Sequence, residues 1–356
     1  MIPRRNPPWG MLGPTPPPVR LGIPWNEWAM DLRLWRVMEL IKYEQGVSEK
    51  LEKIYAETAN RVASEIVGRG EVLTALDEGV LAEAVASAVL VAYSRSISTL
   101  EPALVDTLGH EMETATEYRD AWGAYQTGGI GSVPGVSMVG ASVMNDFVLA
   151  SAVGWVFSGL FNGLLLDGPR ASVLSQISRA RAMGQSVFDL SKTVHRTISS
   201  TGHVAKTIGR TAIHRVSGRY NTLFHSRNRG LISKQKYTAV FDGRTCQICG
   251  GYDGSVFKTG TGPTIPVHEN CRCQYVPIWE KASDPNVALS VDGSEPPRTT
   301  YHEWLSRKEK QMPGFARDIL GATRYNAWRG GTLSLSDLTR GGKIRTLNQL
   351  GLEKVR

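Results

Sequence analysis

The sequence predicts a mainly α fold with a small α+β module, preceded by a helical N-terminal region and an extended Pro-rich N-terminal arm. Three observations predict it. Proline and glycine crowd residues 1–24, apolar residues recur at helical spacing through the next hundred, and all four cysteines fall in one short window. Of the 356 residues, 41% are hydrophobic, enough for a packed core and against global disorder. That length suits about two to three domains.

The arm, residues 1–24, cannot form helix because proline lacks the amide hydrogen and clashes with the preceding turn. Its start has charge but no apolar run behind it, so it does not read as a secretory signal. A helical domain is expected over residues 25–126. Trp28, Leu32, Trp35 and Met38 form one apolar stripe, and Leu51, Tyr55, Ala59, Val62 and Ile66 form the next. Gly46 and Ser48 are expected to separate them, with Ser48 capping the second helix. A third helix, from about Val72 to Ser98, is expected to be punctuated by Pro102 and Gly109. Residues 127–144 are rich in glycine and read as a linker.

The next twenty residues, Phe147 to Leu166, carry no charge. That length could span a bilayer. Asn162, two serines, three glycines and the absence of Lys or Arg flanking its start instead indicate a buried core helix. Residues 145–282 form the next expected domain. Within it, helix is expected from Ser191 to about Arg229, with Val204, Ile208, Ala212, Val216 and Leu223 on one face. A strand is expected over Lys236–Phe241. The C-terminal segment, residues 283–356, begins with a loop at Ser283–Pro297. Short helices are expected around Trp304–Leu305, Phe315–Leu320, Leu333–Leu338 and Leu347–Leu350.

Charge is distributed unevenly along the chain. Glu27–Asp120 holds 18 acidic and 9 basic residues, whereas Arg170–Val240 holds 13 basic residues and one acid. Two readings are open. Either the acidic and basic stretches pack together, or the basic stretch faces phosphate. The 100° helical step places His203, Lys206, Arg210 and His214 on a second face of the basic helix, with Arg215, Arg219, Arg227 and Arg229 nearby. On the phosphate reading this ridge contacts double-stranded DNA irrespective of sequence, with strong salt dependence.

The sharpest pattern is Cys246-Gln-Ile-Cys249, then His268, Cys271 and Cys273. A disulfide scaffold would spread cysteines through a small secreted chain, whereas clustering reads as metal binding. Tetrahedral Zn2+ takes four N or S donors, and these residues offer five. Cys246 and Cys249 pair naturally across a C-x2-C turn. The completion is either His268 with Cys271, or Cys271 with Cys273. A reduced thiol cluster, or two disulfides formed outside the cell, are the alternatives. Five available ligands argue for a closed, structural zinc knuckle over residues 241–277 rather than a catalytic site with an open position.

A zinc-scaffolded nuclease is the enzymatic alternative, with Asp242, Asp253 and Glu269 as candidate acids. Such a site wants an acid beside its histidine base, yet Val267 precedes His268. Phosphate-loop, nucleophile-elbow and His-Glu-x-x-His patterns are absent. The chain therefore reads as a non-enzyme.

Several stretches resemble the phage Mu F-like minor head protein, or phage head morphogenesis, family. They are Asp242-Gly-Arg-Thr-Cys246-Gln-Ile-Cys249, Asp253-Gly254 and Pro266-Val-His268-Glu-Asn-Cys271-Arg-Cys273. Ala205 to Thr211 resembles the family's helix bearing an Arg-Thr pair, although Ala212 stands where an acid is usual. Trp304-Leu305, Ile319–Arg324, Gly330–Leu338 and Thr346–Leu350 are similar to the family's segment C-terminal to the cysteine module. The resemblance thus covers about residues 145 to 356.

It implies a virion component present in multiple copies on the inside of the phage head, near the portal vertex, after synthesis in the host cytoplasm. It also implies portal protein, major capsid protein and scaffold as partners, contact with packaged DNA or ejection with it, and no membrane partner. An assembly factor absent from the mature virion is the other non-enzymatic reading.

Overall fold

The computed structural model describes residues 25–127, 135–140, 154, 162–279, 289–290, 299–340 and 343–353. The expected arm lies outside them, as do most of the glycine linker, most of Phe147–Leu166 and most of the Ser283–Pro297 loop. Three long helices dominate: α1 (Trp25–Val67), α2 (Ala75–Thr127) and, after a π-helical turn and α3 (Gly168–Ala182), α4 (Val187–Arg227). Strands β1 (Ile232–Thr238), β2 (Val240–Phe241), β3 (Val256–Lys258), β4 (Gln274–Trp279) and β5 (Leu289–Ser290) come next, with the short helix α5 (Gln247–Tyr252) between β2 and β3. Helices α6 (Tyr301–Gln311), α7 (Phe315–Leu320) and α8 (Ala322–Arg329) lead to the hairpin of β6 (Thr339–Arg340) and β7 (Lys343–Ile344). No helix among the described residues is long and apolar enough to cross a membrane.

Two helix boundaries differ from expectation. Helix α1 runs unbroken through Gly46 and Ser48. Gly46 is exposed, and a single helical glycine costs only about 1 kcal/mol. Ser48 is buried and donates back to Glu44 at 2.8 Å instead of capping. Helix α2 likewise continues through Pro102 and Gly109. Ser98 and Pro102 are both exposed, so the carbonyl that loses its partner to proline faces water. The expected helices at Leu333–Leu338 and Leu347–Leu350 are single 3-10 turns, at Ser336–Leu338 and Asn348–Leu350.

Contacts divide the chain into two compact units. One gathers the described residues of 1–41, 109–141 and 217–356, the other those of 42–108 and 142–216. In the second unit the basic ridge meets acids of α1. Arg210 Nε donates to Glu44 Oε1 at 2.7 Å, and Lys206 Nζ to Glu52 Oε2 at 2.6 Å. His203 Nδ1 lies 2.8 Å from Glu52, and His214 Nε2 lies 3.9 Å from Glu44. Arg210 and His214 are buried, while Arg215 and Arg219 are half-buried. Arg210 and His214 are thus buried beside Glu44, while His203 stays exposed and Lys206 half-buried beside Glu52. Of the two charge readings, the one in which the acidic and basic stretches pack together describes this helix pair. Glu44, Ser48 and Glu52 repeat every four residues, so one face of α1 presents a polar ladder.

The first unit holds a buried polar network at the ends of the long helices. Arg33 (α1) donates to Glu111 (α2) at 2.7 Å and to Gln274 (β4) at 3.0 Å. From α4, Ser217 and Asn221 donate to the two Glu111 oxygens at 2.5 and 2.9 Å. Around it, Trp25, Trp122 and Trp279 bring their ring centroids within 4.9–5.5 Å of one another. Strand β1 is central in an antiparallel sheet of order β3-β1-β4.

A buried ion pair is weak evidence for net stability, but removing one partner leaves an uncompensated charge. Glu111→Ala should therefore cost about 3–5 kcal/mol in urea unfolding, and Arg33→Met with Glu111→Leu together should cost less than Glu111→Ala alone.

His110 and His225 are also buried in this unit. Burial presses both imidazoles down to about 4, so both are neutral in the fold. The unfolded chain binds these protons below about pH 6.5 while the fold refuses them until about 4. Stability should therefore fall on acidification through that window, by about 1.4 kcal/mol per pH unit per histidine. Urea midpoints across pH 7 to 4 check this, and His225→Gln should flatten the slope.

Candidate metal centre

The cysteines are brought together by two short turns. Cys246 is the N-cap of α5, and its sulfur accepts the Cys249 amide hydrogen at 3.5 Å. In the returning loop the Cys271 amide donates to the His268 carbonyl at 3.2 Å. Asn270 closes this second turn at φ 62°, a left-handed conformation that asparagine tolerates better than most residues. Cys273 lies two residues on, in the extended segment that enters β4.

His268 Nε2 lies 3.0 Å from both Cys246 Sγ and Cys249 Sγ, and Cys249 Sγ lies 3.8 Å from Cys271 Sγ. The donors form two overlapping groups, Cys246–Cys249–His268 and Cys249–Cys271–Cys273, each within 4.8 Å. The structure thus brings all five expected ligands together, with Cys249 common to both groups. His268 Nδ1 is 2.6 Å from the Glu269 carbonyl, so it donates there and leaves Nε2 as the free donor atom. Metal-ligating histidines are oriented by such a bond.

The electrostatics of the cluster are those of crowded thiols. The Cys249 thiol, and then His268, draw Cys246 down to about 4. The same contact with Cys246 lifts His268 to about 9. Cys271 is held low by donation from Cys249 and Cys273, while Cys249 and Cys273 are pushed up. Negative charge thus collects on some sulfurs and protons are retained on the rest. A divalent cation displaces such protons and neutralises the charge.

The donor chemistry fits zinc. Tetrahedral Zn2+ with bonds of about 2.3 Å to sulfur sets sulfurs about 3.8 Å apart, the Cys249–Cys271 spacing. The two 3.0 Å contacts of His268 are shorter than the about 3.6 Å such an ion needs, so its ring must withdraw by about half an ångström.

The acids near the cluster have structural partners. Asp253 accepts the Ala239 amide at 2.9 Å and the Tyr301 amide at 3.1 Å, and burial pushes its carboxyl up to about 7 against those bonds. Burial works to raise Asp242 too, but Arg272 at 2.6 Å, and then Arg244, hold it below the ordinary range. Glu269 is exposed. Sequence reasoning missed Tyr237, whose hydroxyl donates to Cys249 Sγ at 3.6 Å, and Tyr301, which closes over α5. A side chain at Gly250 would drive its Cβ into the Tyr301 ring. The only local signal for that contact was the Gly250-Gly251 pair.

Residues 171–276 match the sequence family described as Phage Mu protein F like protein. The matched stretch spans most of α3, all of α4, most of the β3-β1-β4 sheet and all five donors, and is similar to that family over somewhat under a third of the chain. No curated protein and no solved structure matches the chain. The hydrophobic core around the cysteines extends past the matched residues, through Trp304, Leu320, Trp328 and Leu338. The cysteine module and the C-terminal helices thus share one core.

Asp253→Ala should leave two buried backbone amides without acceptors and cost about 2–4 kcal/mol in urea unfolding. If Asp253 were instead a catalytic base, the substitution would leave stability unchanged.

Proposed function

We propose that the chain is a minor head protein of a tailed bacteriophage, acting in head morphogenesis, with a structural zinc knuckle. The family match over residues 171–276 carries the reading. Its place is the head interior near the portal vertex, and its partners are portal protein, major capsid protein and scaffold. The geometry supports binding rather than catalysis, because Asp242 and Asp253 are engaged by Arg272 and by backbone amides. With the ridge of α4 satisfied by Glu44 and Glu52, contact with packaged DNA falls to exposed cations such as Lys192, Arg196, Arg227 and Arg229.

The residues that would hold the zinc are four drawn from Cys246, Cys249, His268, Cys271 and Cys273. A bound zinc ion supplies folding free energy of order ~10 kcal/mol, more than so short and glycine-rich a loop gains by burial. The chain's own residues set the rest: Tyr237 and the Cys249 amide donate to sulfur, and Tyr301 and Trp304 exclude water.

Quantitative mass spectrometry of purified mature virions, scaled to the portal protein, tests the placement. Low-copy presence is expected. Complete absence from virions would favour the assembly factor, and metal-dependent cleavage of plasmid DNA by the purified chain would favour the nuclease. For the metal, a strong chelator should lower the melting temperature by more than about ten degrees, restored by Zn2+ and not by Mg2+.

A further inference from the structure

The cluster holds one donor more than a tetrahedral ion takes, and the geometry divides the five unequally. Two of the pairs are built alike. Cys246 and Cys249 lie three residues apart in a turn closed by the Cys249 amide. His268 and Cys271 lie three residues apart in a turn closed by the Cys271 amide and by the left-handed Asn270. Such turns place both donors on one side without strain. The short donor contacts run through these four residues, from Cys246 to His268 to Cys249 to Cys271.

Cys273 is set differently. It lies two residues beyond Cys271, past the second turn, with its sulfur within 4.8 Å of the Cys249 and Cys271 sulfurs. Like Cys271 it falls outside the group that holds Cys246 and His268, but unlike Cys271 it shares no closed turn with another donor. It is 3% exposed and lies beside the Tyr237 hydroxyl, which is buried in the same core. Its sulfur therefore has a neighbour and a packing role without an ion.

We infer that Cys246, Cys249, His268 and Cys271 hold the ion, and that Cys273 stays a buried thiol beside it, packed against Tyr237. This rests on the zinc reading above. It assigns a closed three-sulfur, one-nitrogen site, with His268 fixed by the Glu269 carbonyl as a full ligand. Three thiolates and one imidazole around a divalent ion leave the site one negative charge.

X-ray absorption on the zinc-loaded, full-length wild type tests this without a substitution. Three Zn–S distances of about 2.3 Å and one Zn–N distance of about 2.0–2.1 Å are expected. Zinc content of variants gives the second arm. Cys273→Ser and Cys273→Ala should keep one zinc per chain, whereas Cys246→Ser, Cys249→Ser, Cys271→Ser and His268→Ala should lose it. A four-sulfur shell, with zinc kept by His268→Ala and lost by Cys273→Ser, would overturn the assignment while leaving the zinc reading intact. Wild type that takes up no zinc at any loading would overturn both.

Discussion

Three thiols and an imidazole converge on Cys249, and the fold from β1 to the last 3-10 turns is arranged around that convergence. The sheet supplies Tyr237 and Tyr275, α5 supplies Cys249, and α6 to α8 add Tyr301, Trp304, Leu320 and Trp328 to the same core. Thiolates inside such a core repel one another, and burial raises the cost of each charge. Either protons or a cation must balance them. The segment between α5 and β4 contains Gly260 and Gly262 at positive φ and reaches the same core through Phe257, Ile265 and Val267.

The module is tied to the helices by ordinary polar chemistry. Gln274 comes directly after the last cysteine and receives the Arg33 guanidinium, which in turn pairs with Glu111. Ser217 and Asn221 complete the acceptor capacity of that carboxylate. One residue of β4 thus couples the cysteine turn to α1, α2 and α4. On the other side Asp253 joins the end of α5 to the start of α6 and to the residue between β1 and β2. The cluster is held in register by these two seams, which makes its geometry a property of the fold rather than of the loop.

The sequence was most informative where chemistry is local. The C-x2-C spacing and the nearby histidine announced the cluster, because ligand turns need few residues. Helical periodicity placed Leu51, Tyr55, Val62 and Ile66 in the core, where they are. It also grouped His203, Lys206, Arg210 and His214 correctly on one face, yet periodicity cannot say what that face meets. Its partners, Glu44 and Glu52, lie some 150 residues earlier. Glu111 left a trace of a different kind. It stands in register with Ala115, Tyr118 and Trp122 on the buried stripe of α2, an acid where an apolar residue is expected. Such a break in pattern marks a buried partner without naming it. Pro102 and Gly46 misled because their cost depends on whether the freed groups reach water, which only the packing reveals.

On the zinc reading, the cysteine module depends on its ion while the long helices sustain themselves by apolar burial. Hydrogen exchange of the full chain, with and without a chelator, measures this directly. Removal of the metal should speed exchange in residues 246–279 and in α6, and leave residues 42–66 of α1 protected. Unchanged protection across residues 246–279 after the metal is gone would contradict it.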